Sequence, residues 1–260
     1  MKILIWSKDR AGQLDILINS IIECSTFTPT IDVIYRTSCE SYYTAYQLLK
    51  SYHNSKYINY IEESSFRVDT LNSIYESDTV CLCTDDSVFF DKFDDQSNLA
   101  NLHSCFSYRL GFNTTVQDIH NRTVQPALIR YSDNGETISW KWTEYNQFNN
   151  YGYPFGLDGH LYNSERLFSI IEYLEFNSTN ELETQLFYQK NKIPETIASY
   201  KTSKLVNVPV NSITGVTRAG EIHSHNQEQI NELFLKGNRF KYNLNSPIIG
   251  CHQEFEIIQN

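Results

Sequence analysis

Three short stretches carry side chains whose types and spacing suit chemistry. At 84–87, TDDS sets Asp85 and Asp86 side by side at the end of an apolar run, TVCLC (79–83). Paired carboxylates offer hard oxygen ligands to a divalent cation; such pairs also cap turns and helix starts. At 153–163, YPFGLDGHLYN sets Asp158 between Gly156 and Gly159, with His160 two residues after the aspartate. A carboxylate there can take a proton from a hydroxyl, or cap a glycine-rich turn. The two glycines would let the backbone approach a ligand closely. At 7–10, SKDR follows the first apolar run, and its Arg10 suits a phosphate. His160 has three readings of equal weight: orienting Asp158, reaching a metal, or filling the core. His223 and His225 are spaced H-x-H and offer a late metal ligand or an exposed loop. Cys81 and Cys83 are spaced C-x-C with no second close pair to complete a zinc site, so they read as buried thiols in a strand.

Composition narrows the function classes. The net charge of −10 comes without any basic cluster, which argues against a duplex nucleic-acid binder. An anionic small molecule stays open, because a few arginines or a metal can hold a phosphate locally. With 260 residues, 40% of them hydrophobic, the chain can bury one large core. The start, MKILIWSKDR, turns polar too soon for a signal peptide. No apolar run approaches the ~18 residues that span a bilayer. A cytoplasmic, reduced protein is the expectation, with the sequons at Asn113, Asn121 and Asn177 as chance matches.

The elements that must position these residues alternate through the first third. Strands are predicted at 2–6, 31–36, 57–62 and 79–83, and helices at 12–24, 41–52 and 66–77. That β-α-β-α-β-α-β order predicts a mostly parallel sheet flanked by helices, whose ligands lie outside the carboxyl ends of the strands. SKDR and TDDS both fall at such ends. Beyond residue 90 the pattern is mixed. Short strands are predicted at 105–110, 127–131 and 137–142, with a DNG hairpin turn at 133–135. Helices are predicted at 164–176 with Ser164 as N-cap, at 179–191, and at 226–237 with Gly237 as the stop; 204–211 reads as extended. The expectation is one domain over 1–260, a nucleotide-binding half (1–90) and an acceptor-binding half (91–260).

An α/β half that ends in an acidic pair resembles the GT-A glycosyltransferases. LCTDDSVFF is similar to their DxD-type motif, with Thr84 in place of the first acid. IWSKDRAGQLDILINSI resembles the first strand, loop and helix of glycosyltransferase family 2-like enzymes. FSYRLGFNT (106–114), YPFGLDGHLYN (153–163) and the pair VPVNSI…QINELFLKG resemble segments of a bacterial and viral group of them. There are departures: Arg36 and Thr37 stand where family 2 proteins often carry an acid for the nucleoside, and no ED catalytic pair is present.

The resemblance implies a GT-A fold and a sugar transferred from a nucleotide-diphosphate sugar, a UDP-sugar favoured, to a glycan-type acceptor. It implies Mn²⁺ or Mg²⁺ on Asp86, a Lewis acid on the departing diphosphate, with Asp85 nearer the ribose or a metal-bound water. Ser7, Arg10, Arg36 and Arg67 are the further candidates for the nucleotide. Arg109, Asn113, Trp142 and His160 are candidates for the donor sugar and acceptor, with Trp140, Tyr151 and Tyr153 beside Trp142 as a stacking wall. Asp158 is the candidate general base of an inverting transfer. Two other classes compete. A nucleotidyltransferase would show a glycine-rich basic loop after the first strand, and SKDRAGQL fits that poorly. An inactive carbohydrate-binding protein on the same fold would bind without turnover.

Overall fold

The structure is a computed structural model, and it describes residues 1–118, 123–125, 127–146, 149–208, 226–253 and 255–259. The first ninety residues form β1 (Lys2–Lys8), α1 (Ala11–Cys24), β2 (Thr30–Arg36), α2 (Glu40–Tyr52), β3 (Ile58–Glu62), α3 (Phe66–Tyr75), β4 (Thr79–Thr84) and β5 (Ser87–Phe89). Then come α4 (Ser97–Leu102), β6 (Phe106–Ser107), β7 (Val116–Asp118), β8 (Thr123–Val124), β9 (Ser132–Asn134) and β10 (Thr137–Lys141). These are followed by β11 (His160–Asn163), α5 (Ser164–Ile171), α6 (Thr179–Phe187), β12 (Thr196–Tyr200) and β13 (Leu205–Asn207). The last elements are α7 (Gln227–Leu235), β14 (Phe240–Tyr242) and β15 (Ile257–Gln259).

Why the sheet forms is written in β1. Ile3, Leu4 and Ile5 are consecutive and wholly buried, so both faces of the strand are covered, as in parallel sheets packed between helices. The main sheet has nine strands in the order β3-β2-β1-β4-β11-β6-β12-β10-β9. β1 to β4 run parallel, and β11 then returns antiparallel on β4. The fold class is thus α/β with helices flanking the sheet, as expected, and the sheet as a whole is mixed: parallel over β1 to β4 and largely antiparallel beyond. One core layer holds Leu14, Leu17, Ile18 and Ile21 of α1 against Phe89, Phe93 and Phe234; the other holds Trp6, Phe66, Trp140, Ile170 and Phe176.

Local chemistry sets the boundaries. Ser65 caps α3 by accepting from the Val68 amide. Asn226 and Gln229 close a capping box on α7, and Gly237 ends that turn at φ +87°. Three expectations need correction. The N-cap of α5 is Asn163, which accepts from the Arg166 amide, and Ser164 is already helical. The strand expected over 105–110 stops at Ser107, because the Ser107 hydroxyl accepts from the amides of Arg109 (3.3 Å) and Leu110 (3.1 Å) and turns the chain. Residues 127–131 form no strand: Ile129 is 82% exposed, and its amide donates to the Tyr145 hydroxyl. Of the segment expected as extended over 204–211, Leu205–Asn207 is strand, and 209–211 lie outside the described residues. So do His223, His225 and the Asn121 sequon. No helix among the described residues is long and apolar enough to cross a membrane.

Candidate functional site

β1 and β4 are neighbours, with Trp6 in register with Thr84. The chain leaves β1 through α1 to β2 on one side, and β4 is inserted on the other. This is the point where strand order reverses, and the crevice at the carboxyl ends of such strands is where open α/β sheets hold ligands. SKDR and TDDS meet there.

On the β1 side, Asp85 is buried and fully engaged. Its Oδ2 accepts from the Ser7 hydroxyl (2.8 Å) and the Lys8 amide (3.3 Å), and its Oδ1 from Arg10 Nη1 (3.1 Å). Tyr46 of α2 completes the support: its hydroxyl lies 2.5 Å from Ser7 Oγ and accepts from the Arg10 amide at 3.2 Å. Asp86, closer to the surface, meets the same Arg10 Nη1 at 3.4 Å. Burial, partly countered by Arg10 and reinforced by the Asp86 charge, pushes the Asp85 carboxyl up to about 6. Arg10 is itself buried, which disfavours its charge, but the two aspartates hold it firmly protonated.

On the β4–β11 side stands a second guanidinium–carboxylate pair. Arg109 Nη1 donates to Asp158 Oδ2 at 3.0 Å. His252 adds its Nε2 at 3.3 Å from Arg109 Nη1 and 3.7 Å from Asp158 Oδ2. Burial alone would push the Asp158 carboxyl up. The His252 imidazole, the Arg109 guanidinium and the Thr84 hydroxyl outweigh it and hold the carboxyl well below the usual range. Gly159 reaches φ +71°, and its amide donates to Leu82 O at 2.7 Å, which fixes the turn to β4. A Cβ on Gly156 would lie 2.7 Å from His160 Cε1 and 3.2 Å from Arg109 Nη2, so only glycine lets those side chains pack here.

Thr84 joins the two halves. Its hydroxyl oxygen lies 2.7 Å from Asp86 Oδ1 and 2.5 Å from Asp158 Oδ1. A hydroxyl has one proton, so it can donate to only one of these carboxylates at a time. Asn207 of β13 supports the Asp86 side, its Nδ2 donating to Asp86 Oδ1 at 2.8 Å. The backbone bridges Asn207 to His252: the Asn207 amide donates to Cys251 O and the Gln253 amide to Asn207 O, both at 3.0 Å.

The structure therefore brings together Ser7, Arg10, Asp85, Asp86, Arg109, Asp158 and His160. His160 is buried beneath Asp158, with Nδ1 3.3 Å from the Asp158 carbonyl oxygen. Burial and the Arg109 charge push its imidazole down to about 3, so it is neutral at physiological pH. Its Nε2, like Arg109 Nε, is buried with no partner among the described residues.

Four other candidates do not join the cluster. Arg36 is 63% exposed and pairs with Glu63 at 3.5 Å, touching the rim only through its carbonyl, which accepts from the Asp9 amide. Arg67 donates to the carbonyls of Glu172 and Leu174 just past α5, where it serves as a C-terminal cap. Asn113 ties its loop to Ser203 and to Ile248 O. Trp142 donates to Pro194 O and lines an open cleft of about 480 Å³ with Thr143, Tyr145 and Lys190. Trp140 and Tyr151, read as parts of a stacking wall, are packed edge to face in the core. Tyr153 stacks on Phe187.

Sequence reasoning missed Tyr46, Asn207 and His252. Tyr46 sat among the tyrosines of α2 with no distinguishing signal. Asn207 lay in a stretch read only as extended, and His252 is a lone histidine without a motif.

Among the described residues, no group of three or more His, Cys, Asp or Glu side chains is arranged to hold a metal ion. No family model matches the chain, and no curated protein matches it. Solved structures do. S. aureus TarS 1–349 in complex with UDP aligns with a TM-score of 0.51 at 12% identity, over 81% of this chain and 61% of that one. A longer S. aureus TarS structure aligns with a TM-score of 0.51 at 11% identity, over 78% of this chain and 36% of that one. What is shared at such identities is the fold, and this chain spans about three fifths of the TarS 1–349 structure.

Proposed function

We propose that this chain is a glycosyltransferase that moves a sugar from a nucleotide-diphosphate sugar to a glycan-type acceptor, with UDP as the favoured carrier. The observation that carries the reading is the meeting of two guanidinium–carboxylate units at Thr84, in the crevice between β1 and β4. The shared fold with a protein solved in complex with UDP supports the choice of nucleotide.

Group by group, the crevice suits that chemistry. Negative charge builds on the diphosphate as the glycosidic C–O bond breaks. Lys8 and Arg10 at the end of β1 supply positive charge on that side. The residues present also fit a hard divalent cation, Mn²⁺ or Mg²⁺. Asp86 is only partly buried, and the Thr84 hydroxyl beside it adds a second oxygen. A single protein carboxylate completed by substrate phosphates is a usual way to hold Mg²⁺. When bound there, the ion would act as a Lewis acid on the diphosphate. Asp85, with every near donor already engaged, holds Arg10 and the β1 rim in place. Asp158 faces the acceptor side. Its surroundings favour the carboxylate so strongly that it is a weak proton acceptor, which weakens the general-base role read for it in the sequence.

The test is calorimetric titration of the folded protein with UDP, with and without Mn²⁺, followed by release of UDP from UDP-sugars. Metal-dependent UDP binding that Asp86→Ala abolishes is expected. Absence of any nucleotide-diphosphate binding overturns the reading. Binding without turnover of any donor identifies an inactive binding protein on the same fold.

A further inference from the structure

We propose that Asp9 reads the base of the donor nucleotide, its free carboxylate oxygen accepting the imide N–H of a uracil. The inference rests on the glycosyltransferase reading and deepens it. Asp9 is the only non-glycine residue at positive φ among the described residues, at +58°. Few side chains tolerate that backbone, and where one persists its surroundings hold it there, commonly at a functional site. Three hydrogen bonds hold Asp9. Its amide donates to Arg36 O at 3.1 Å, its carbonyl oxygen accepts from Gln227 Nε2 at 2.8 Å, and its Oδ1 accepts from the Ser38 amide at 2.7 Å.

Those bonds tie the end of β1 to the end of β2 and to the start of α7. They leave the other carboxylate oxygen, Oδ2, without a hydrogen-bond or ion-pair partner among the described residues. Asp9 is only 4% exposed, so this acceptor is largely withdrawn from water and unpaired, which costs free energy until a donor arrives. Its place says which donor. Asp85 and Asp86 stand on the β4 side of the β1 end and Asp9 on the β2 side, so the two sides are about 10 Å apart, two strand spacings. A nucleotide whose diphosphate lies by Arg10 and Asp86 can reach Asp9 with its base.

The count of free oxygens selects the base. A ribose diol and the edge of guanine each present two donors to a carboxylate, and here one oxygen is committed to Ser38. Uracil presents one donor, N3–H, between two carbonyls. Cytosine presents an acceptor at the same place, which a carboxylate cannot satisfy. Asn at this position isolates the effect. Asn tolerates a left-handed backbone as Asp does, and its Oδ1 can still accept from the Ser38 amide, which sets Nδ2 where Oδ2 was. One acceptor becomes one donor, and the backbone bonds stay.

The experiment measures binding of UDP, CDP and 3-methyluridine diphosphate by calorimetry, with Mn²⁺ present, in wild type and Asp9→Asn, together with thermal melts of both proteins. Wild type should bind UDP about 10-fold or more tightly than CDP or the 3-methyl analogue, both of which lack the N3 proton. Asp9→Asn should melt with wild type, lose about 10-fold or more in UDP affinity, and bind CDP at least as tightly as UDP. Wild type that binds all three alike overturns the proposal without recourse to any variant. So does an Asp9→Asn protein with the wild-type ratio of UDP to CDP affinity, the result that a ribose contact or a purely structural Asp9 gives. Wild type that binds none of the three removes the glycosyltransferase reading itself, and the proposal falls with it.

Discussion

The two guanidinium–carboxylate pairs of the crevice are built from the same residue types and behave oppositely. At Arg10–Asp85 the carboxylate is buried and has a second aspartate beside it, and its proton affinity rises. At Arg109–Asp158 the carboxylate is in contact with the guanidinium, an imidazole and a hydroxyl, and its proton affinity falls. One arginine is shared between two carboxylates; one carboxylate stands among a guanidinium, an imidazole and a hydroxyl. The Asp86 charge beside Asp85, which has no counterpart among the causes acting on Asp158, separates the two, and neither member of a pair predicts the sign alone.

That difference can be broken experimentally. The largest effect is expected from Arg10→Met, which strands Asp85 and Asp86 without their shared cation. Stranding a buried charge in this way costs about 3–5 kcal/mol, read as a lowered urea midpoint. Arg109→Met should cost less, because His252 and Thr84 remain beside a partly exposed Asp158. Equal losses in the two variants would show that the pairs are equivalent after all.

Next is a pH dependence. The Asp85 carboxyl moves from its ordinary 3.8 to about 6 on folding. Between those values the folded protein keeps a proton that the unfolded chain has released, so stability falls as pH rises through the window, by at most about 3 kcal/mol. Asp85→Asn should remove that slope. Asp158 has the opposite sign: its stabilisation is present above the ordinary carboxylate range and is lost as pH falls below it. Thermal melts of wild type and both Asn variants from pH 3 to 7 separate the two. A wild-type melting temperature that rises between pH 4 and 6 would contradict the Asp85 assignment.

Gly156→Ala sharpens the comparison on the Arg109–Asp158 side only. Its Cβ would press on His160 and Arg109. We expect a loss of about 1–3 kcal/mol, as for overpacked sites, with donor turnover reduced and UDP affinity kept. The smallest effect is Asn207→Ala, which removes one donor to Asp86 and should cost about 1 kcal/mol. Its signature is a weaker metal requirement for UDP binding, measured as the Mn²⁺ concentration at half-saturation.

Much of the architecture of the parallel half is legible in the chain. KILIW and TVCLC are continuous apolar runs, and such runs become strands buried on both faces. Their ends therefore have to be strand ends, and SKDR and TDDS have to meet. Beyond residue 90 the signal weakens. FSYRLG and ALIRY have strand-like composition, but the first is turned by the Ser107 hydroxyl and the second lies outside any strand, with Ile129 82% exposed. Arg67 and Arg109 look alike as isolated arginines; one caps a helix and the other holds Asp158, and only their neighbours tell them apart.

The sequence by itself determined the elements of the parallel half, the strand-end position of Asp85 and Asp86, and the glycine-flanked turn that carries Asp158. These depend on contacts between residues a few positions apart, where periodicity and chain stiffness are read directly. Tertiary structure alone decided that Thr84 would stand between Asp86 and Asp158, that Asn207 would reach Asp86 from 121 residues away, and that His252 would reach Arg109 from 143 residues away. It also decided which carboxyl's proton affinity rises and which falls. Those outcomes depend on burial and on the sum of charges at a point in space, and no local window of the chain contains that sum.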